Sequence, residues 1–114
     1  MLINVNICLL EHSNMVKMEI AKLEANAEQA SRLLTAMANA KRLRILCCLL
    51  DGEMNVSDLE TRVGLAQSPL SQHLSKLRAW NFVTTRREGQ QVFYAISSDD
   101  VRMILTTLYG IYCS

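Results

Sequence analysis

A narrow stripe of leucines in the stretch SPLSQHLSKLRAW, residues 68–80, limits what this chain can fold into. The leucines recur at i, i+4 and i+7, the spacing of one helical face: Leu70, Leu74 and Leu77. The stretch therefore predicts an amphipathic helix with a slim buried side. We expect Ser68 to cap this helix and Pro69 to be its first residue, where the missing N–H costs nothing. The opposite face carries small and polar side chains and no acid: Gln72, Ser75, Lys76 and Ala79.

A β-hairpin is predicted directly after this helix. The segments FVTTRRE and QVFYAIS, residues 82–88 and 91–97, are rich in the β-branched and aromatic residues that strands favour. Gly89 lies between them and suits a tight connection. Arg86 and Arg87 would then stand at the tip of the hairpin.

Three further helices are predicted upstream. Apolar residues at helical spacing indicate a helix over residues 16–38 that is interrupted or bent at Asn26. A second helix over residues 40–50 ends at the tripeptide DGE, whose glycine offers a C-terminal cap. A short third helix follows, capped by Asn55 or Ser57. The sequence therefore predicts a mainly α fold with a small β-hairpin.

The composition describes one small globular domain. Of 114 residues, 50% are hydrophobic and 20% are charged, which is ordinary for a folded protein. No segment has the roughly 18 consecutive apolar residues of a membrane helix, and the four cysteines include no C-x-x-C pair. We expect a cytoplasmic protein with an N-terminal extension over residues 1–15 and one domain over residues 16–114. No catalytic triad or carboxylate pair is apparent, so neither an enzyme nor a cofactor is predicted.

The distribution of charge points to double-stranded DNA. The formal net charge is only +1, but residues 67–91 hold four basic residues against the single acid Glu88. A helix that exposes short polar side chains beside a basic hairpin suits a duplex, because such side chains reach base edges while arginines meet phosphates. We expect Arg87 and Gln90, in the hairpin, to position the protein on the phosphate backbone. The start of the helix would enter the groove first and read bases through Gln67, Ser68, Ser71, Gln72 and His73.

Four motifs carry a resemblance to a known family. They are RLRIL at 42–46, VSDL at 56–59, S-x-L-S-Q-H-L-x-x-L at 68–77 and R-x-E-G-Q-x-x-x-Y at 86–94. Together they resemble the winged helix-turn-helix of the ArsR/SmtB bacterial repressors, and the likeness extends over about residues 27–113. The resemblance implies a homodimeric transcriptional repressor on near-palindromic operator DNA, with the hairpin as its wing.

The two ends of the chain are expected to form the interface between two copies. The N-terminal helix and a last helix predicted over about residues 98–113 are amphipathic and flank a unit that has its own leucine core, so an isolated copy would leave apolar surface exposed. These residues are Val16, Ile20 and Leu23 in the first helix and Ile104, Leu108 and Ile111 in the last.

The metal sites of the family find no match in this sequence. Metal sensors that resemble ArsR carry Cys-x-Cys where this chain has Asn55-Val56-Ser57, and neither an amide nor a hydroxyl is a good ligand for a soft metal. A second family site uses Asp and His residues of the last helix, but residues 98–113 contain no histidine. We expect Asp99 and Asp100 to cap that helix instead. No metal site is predicted, and a metal-responsive repressor with an unrecognised cysteine site is the main alternative.

Two cysteines are candidates for a switch. The chain resembles a thiol-responsive branch of the family, which implies a disulfide or polysulfide bridge between Cys47 and Cys113 when persulfides or oxidants accumulate. Release from DNA and control of sulfide detoxification genes are implied in the same way. Helical spacing places Cys47 at the edge of an apolar arc and Cys48 in the polar arc near Arg44, whose charge would favour a thiolate. Spacing alone leaves open which of the two cysteines is the sensor. The alternative interpretations are that the cysteines are only small apolar residues that fill space, or that the protein is a thiol oxidoreductase.

Overall fold

The computed structural model describes residues 13–113, with side chains from Glu19 onward. The expected extension lies almost wholly outside this range, as do Cys8 and the side chain of Val16. The chain divides into two compact units, residues 1–32 and residues 33–114. Within the described range no helix is both long enough and apolar enough to cross a membrane.

Two helices separated by one residue begin the described chain. Helix α1 (Ser13–Ala25) is followed by α2 (Ala27–Met37), whose last residues belong to the second unit. Asn26 separates them because its side-chain amide donates to the carbonyl of Lys22 at 2.9 Å, which competes with the helical backbone bonds. The interruption predicted at Asn26 is confirmed.

The second unit contains the remaining elements in chain order. They are α3 (Ala40–Leu50), β1 (Met54–Asn55), α4 (Val56–Val63), α5 (Gln67–Ala79), β2 (Val83–Glu88), β3 (Gln91–Ile96) and α6 (Asp99–Tyr112). Helices α4 and α5 form a helix-turn-helix, and β2 and β3 form the hairpin, or wing, that follows it. The predicted fold, mainly α with a β-hairpin wing, is confirmed.

The sheet has a third strand that the sequence did not predict. Strand β1 pairs antiparallel with β3, so the order is β1-β3-β2 and β3 is central. The hairpin connection is a two-residue turn at Gly89 and Gln90. Gly89 has a φ of 61°, which a side chain would disfavour, so the glycine is required for this turn.

Helix caps follow the expectation at one helix and depart from it at two others. Asn55 caps α4, its side-chain oxygen accepting the N–H of Asp58 at 2.8 Å. The prediction that Ser68 caps α5 is wrong, because the first helical bond joins Leu70 N–H to the carbonyl of Ala66 at 3.1 Å and the helix starts before Ser68. The cap of α6 is Ser98 rather than the two acids after it, which lie in the first turn where the helix dipole favours negative charge.

The core of the second unit is built around α3. Ile45, Leu46 and Leu49 are fully buried there, and the predicted leucine stripe of α5 is confirmed, with its three leucines 0%, 1% and 0% exposed. Arg42 is buried with them. Its Nε donates to the carbonyl of Ala36 at 2.9 Å, and its guanidinium carbon lies 5.5 Å from the centre of the Trp80 ring. Arg42 donates hydrogen bonds to two carbonyls at the end of α2, those of Ala36 and Thr35. These bonds allow a charged side chain to lie on the buried face of α3.

Candidate DNA-binding surface and cysteine pair

Helix α5 presents a polar, acid-free surface because its leucines hold the other side in the core. The exposed residues include Gln72, Ser75, Lys76 and Ala79, as the sequence predicted. The preceding turn sets the position of this surface, since Gly64 adopts a φ of 76° and ends α4 just before α5 begins. The start of α5 is therefore free to meet a ligand with its side chains.

An open groove of about 350 Å³ lies between the start of α5 and the wing. It brings together three of the residues predicted to bind DNA, namely Gln67, Ser71 and Gln90. Ser68 and Gln72 are exposed on the same helix but do not line the groove. The other residues that line it were not predicted as site residues: Asn55, Val56, Ser57, Gln91 and Val92. These residues lie at the start of α4 and in the wing, so the sequence could have indicated them only through the prediction that both elements lie beside α5.

Asn55 joins the helix-turn-helix to the wing at the base of this groove. Its side-chain oxygen caps α4, and its Nδ2 donates to Oε1 of Gln91 at 3.3 Å. The Gln91 amide nitrogen remains available as a donor, so the groove is lined by amide and hydroxyl groups. Such groups recognise base edges and phosphate oxygens without imposing a charge.

His73 faces partly inward rather than fully toward solvent. The residue is half-buried, and its Nδ1 is buried without a hydrogen-bond partner among the described residues. Burial is the main cause that lowers the pKa of His73 below its ordinary value, and the positive charges of Arg42, Lys76 and Lys41 lower it further. The ring is therefore neutral at neutral pH, with one nitrogen directed into the protein.

The two arginines of the wing have different surroundings. Arg87 is exposed and has no hydrogen bond or ion pair within the described part of the chain. Arg86 instead pairs with Glu53 and Glu88, and its guanidinium carbon lies 4.6 Å from the centre of the Phe93 ring. The charge of Arg86 is therefore compensated within the wing, whereas that of Arg87, the arginine predicted to contact phosphate, is not paired within the described part of the chain.

The two adjacent cysteines are the reverse of what helical spacing predicted. Cys48 is buried, at 8% exposure, whereas Cys47 is exposed. The prediction that Cys48 lies in the polar arc is wrong because the buried side of α3 extends past Ile45 to Cys48, while Leu43 and Leu50 on the other edge are only half-buried. Oxidants in solution can therefore reach Cys47, and Cys48 is shielded by the core.

The charge of Cys113 is one of the influences on the ionisation of Cys47. Although the residue as a whole is exposed, partial burial of the Cys47 thiol is the main cause that raises its pKa above the ordinary value, and the charges of Cys48 and Cys113 raise it further. Cys113 is exposed and follows the last turn of α6, where its N–H bonds to the carbonyl of Tyr109 at 2.8 Å. Arg44, which was expected to favour a thiolate, is not among the causes of this shift, and the net effect on Cys47 is in the other direction.

The described residues offer no cluster suited to a metal. No group of three or more His, Cys, Asp or Glu side chains within residues 13–113 is arranged to hold an ion. On α6, Arg102 donates from its guanidinium to the carbonyl of Ile96 at 3.2 Å, which fixes it against the end of β3.

Comparison with known proteins places this arrangement in a family. Residues 39–85 match the family described as bacterial regulatory protein, arsR family. The chain is 48% identical over 96 residues to the transcriptional activator HlyU of Vibrio cholerae, which covers 84% of this chain and 89% of HlyU.

Solved structures agree with this assignment. The transcriptional repressor BigR from Xylella fastidiosa has a TM-score of 0.79 at 34% identity, over 82% of this chain and 96% of that one. A homodimeric winged helix-turn-helix DNA-binding domain from Mycobacterium bovis has a TM-score of 0.69 at 32% identity, over 77% of this chain and 82% of that one. Because the match to HlyU extends over 89% of that protein at 48% sequence identity, and because the arsR family model matches as well, the chain belongs to the arsR family of bacterial transcriptional regulators.

Proposed function

We propose that this protein is a homodimeric repressor that binds operator DNA through the start of α5 and the wing. The observation that carries the proposal is the groove in which Gln67 and Ser71 of α5 face Gln90 and Gln91 of the wing. Every polar group that lines this groove is neutral, and α5 contains no acid. A phosphate backbone would therefore meet no negative charge that repels it there. Of the two relatives, HlyU is named an activator and BigR a repressor. We propose repression by analogy with BigR.

A dimer is proposed because apolar residues remain uncovered in one copy. Ile20 and Leu23 of α1 are 50% and 62% exposed, and Ile111 of α6 is 64% exposed. Ile104 and Leu108 are half-buried, because they pack partly against the core of their own chain, and only part of their surface is left for a partner. The homodimeric relative from Mycobacterium bovis supports the proposal. We propose that the terminal helices supply the interface and that residues 16–114 act as one DNA-binding domain.

DNA selection tests this function directly. Purified reduced protein is incubated with a random double-stranded library, and the bound DNA is amplified and sequenced over several rounds. We expect a near-palindromic site whose halves are about one helical turn apart, because two recognition helices related by two-fold symmetry meet the same face of the duplex. Enrichment of no sequence, or of a single half-site only, would contradict the proposal.

We further propose that a bridge between Cys47 and Cys113 releases the DNA. Both thiols are exposed, both belong to the second unit, and α3 packs against α6. The charge of Cys113 is among the causes that raise the pKa of Cys47, which is consistent with a bridge between these two helices. No structural observation on the described residues favours the metal-responsive alternative or a thiol oxidoreductase.

The proposed oxidation converts two thiols to one disulfide. The two cysteines lose two protons and two electrons to an oxidant, or one thiolate attacks the outer sulfur of a persulfide and displaces the donor's thiolate. In the second route, the other thiolate then attacks the protein persulfide and releases hydrosulfide. Reactive sulfur species or oxidants are therefore the proposed inducers, and dithiothreitol should reverse the reaction.

A further inference from the structure

The side chain of Arg86 crosses the whole sheet of the wing. Arg86 lies on β2, at one edge, and its cross-strand neighbour on the central strand β3 is Phe93. The guanidinium carbon is 4.6 Å from the centre of the Phe93 ring, within the range of a cation–π contact. Beyond the ring, Nε lies 3.0 Å from both carboxylate oxygens of Glu53, the residue before β1. The Arg86 side chain therefore connects β2, on which it lies, with Phe93 of β3 and with Glu53, the residue before β1.

A second carboxylate completes the arrangement from the same face. Glu88 lies two residues after Arg86 on β2, so the two side chains project to one side of the sheet. Nη1 of Arg86 lies 2.7 Å from Oε2 of Glu88. The hydrogen bond from Arg86 is the largest cause that lowers the pKa of Glu53, and the two carboxylates raise the pKa of Arg86. The positive charge of Arg86 is thus compensated within the wing.

The geometry indicates that this network orients the wing more than it stabilises the fold. The Arg86 and Glu53 side chains are 48% and 38% exposed, and exposed ion pairs contribute little to folding. A guanidinium fork that grips a carboxylate with two nitrogens does restrict direction, and a lysine ammonium cannot reproduce it. What the fork restricts here is the position of the hairpin relative to the residue that precedes β1.

We infer that Arg86 is a positioning residue: it fixes the wing against Glu53 and Phe93, whereas the neighbouring Arg87 supplies the charge that meets DNA. The inference rests on the proposed DNA-binding function and adds a division of labour between two adjacent arginines. It requires that removal of Arg86 loosens the wing without removal of a phosphate contact.

Salt dependence of DNA binding separates the two roles. The double variant R86Q/E53Q removes one positive and one negative charge, so its net charge matches that of the wild type. We expect its dissociation constant for the selected site to rise about fivefold with the slope of log K against log salt unchanged, since a surface network is lost and no phosphate contact is. In the matched variant R87Q the slope should become less steep by about one unit, because one phosphate contact is lost. A slope that falls by about one unit in R86Q/E53Q would overturn the inference.

Two further measurements keep the inference testable apart from DNA. Amide hydrogen exchange at the hairpin in free protein should be faster in R86Q/E53Q and in R86K than in wild type, and unchanged in R87Q. Unchanged exchange in R86Q/E53Q would contradict a positioning role, even if the wild type selects no DNA and the proposed function fails. Circular dichroism confirms that each variant is folded. Because R86K keeps the charge but not the fork, wild-type affinity and exchange in R86K would also contradict the inference.

Discussion

At the scale of single residues, two pairs of identical neighbours have opposite surroundings. Cys47 is exposed where Cys48 is buried, and Arg87 is unpaired among the described residues where Arg86 binds two carboxylates. On α3, a step of one residue turns the side chain by about 100°, and on β2 it moves the side chain to the other face. Residue type therefore indicates what chemistry is available, while position decides which of two neighbours can use it.

Gln72 provides the first prediction at this scale. It is exposed near the start of α5, opposite the buried leucines, where a side chain amide can reach a base edge. Gln72→Ala should weaken operator binding by roughly 1–3 kcal/mol and relax the base preference at one position. Fluorescence anisotropy on the selected site and on its single-base variants measures both effects. Ser75→Ala, one turn further from the helix start, is the control, and equal affinity in Gln72→Ala and wild type would remove Gln72 from base recognition.

His73 gives a prediction about pH. Its pKa in the folded protein lies below the ordinary value of 6.5, so near and below that value the unfolded chain binds more protons than the folded one. The stability from the neutral ring is complete above the unfolded pKa and decreases as the pH falls through it. Between about pH 7.5 and pH 5.5 the urea midpoint should therefore fall more in the wild type than in His73→Gln. Identical pH dependence in the two proteins would contradict this assignment.

At the scale of elements, the apolar stripe of α6 continues past the core that it helps to form. Val101 and Leu105 are buried at its start, but Ile111 and Tyr112, on the same side, are 64% and 80% exposed. In one chain only the first half of this stripe is covered by described residues. An apolar stripe that extends beyond its own core is expected where a second copy packs.

Ile111 therefore provides a prediction about assembly. Ile111→Lys places a charge in the proposed interface and should raise the dimer dissociation constant about tenfold or more. Sedimentation velocity over a concentration series measures this constant. Met103→Lys is a matched control, because Met103 is similarly exposed, at 67%, but lies off the stripe. If both variants dimerise as the wild type does, α6 does not supply the interface.

Helices and hairpin could be predicted because each carries its own local signal. The leucine spacing of α5 and Asn26 between α1 and α2 are visible in the sequence, and both predictions are confirmed. Strand β1 could not be predicted, since two residues show no periodicity and pair only because β3 lies beside them. Arg42 was missed for a similar reason, because the carbonyls that bind it become its neighbours only after α2 and α3 pack.

The same distinction applies to the site. Spacing and charge indicated Gln67, Ser71 and Gln90, which lie on elements with strong local signals, and the structure brings them to one groove. The contribution of Asn55 and Gln91 depends on how β1 and β3 pair, which no local pattern carries. Which cysteine is exposed depends on how far the elements packed around α3 bury its side past Ile45, so helical spacing alone chose the wrong face.

At the scale of the whole molecule, the proposed bridge between α3 and α6 would link the proposed interface to the DNA-binding unit. Helix α3 packs against both α5 and α6, so a displacement of α6 can be transmitted to the recognition helix. A bridge between Cys47 and Cys113 closes a loop of about 66 residues, worth roughly 4 kcal/mol in the chain-entropy treatment. This gain is relative to the unfolded chain, so it stabilises whichever folded arrangement allows the bridge to form.

The last prediction is that the bridge releases operator DNA. Both half-sites must be met at once, so a shift of a few ångströms between the two recognition helices should lose contacts at one of them. Reduced protein should bind the selected site, and protein treated with a persulfide donor or a mild oxidant should bind it at least about tenfold more weakly, reversibly with dithiothreitol. Because thiolate is the reacting form and the pKa of Cys47 is raised, the response should be faster at higher pH.

Single cysteine variants identify the residues that form the bridge. Cys47→Ser and Cys113→Ser should each stay bound to the operator after treatment, because neither can form the disulfide. Cys48→Ser should still respond, since Cys48 is buried and points away from solvent, and it serves as the matched control on the same helix. Mass spectrometry of the treated wild type should find Cys47 joined to Cys113. A Cys48→Ser variant that no longer responds would assign the sensor to the buried neighbour, and a normal response in all three variants would exclude a thiol switch built on these residues.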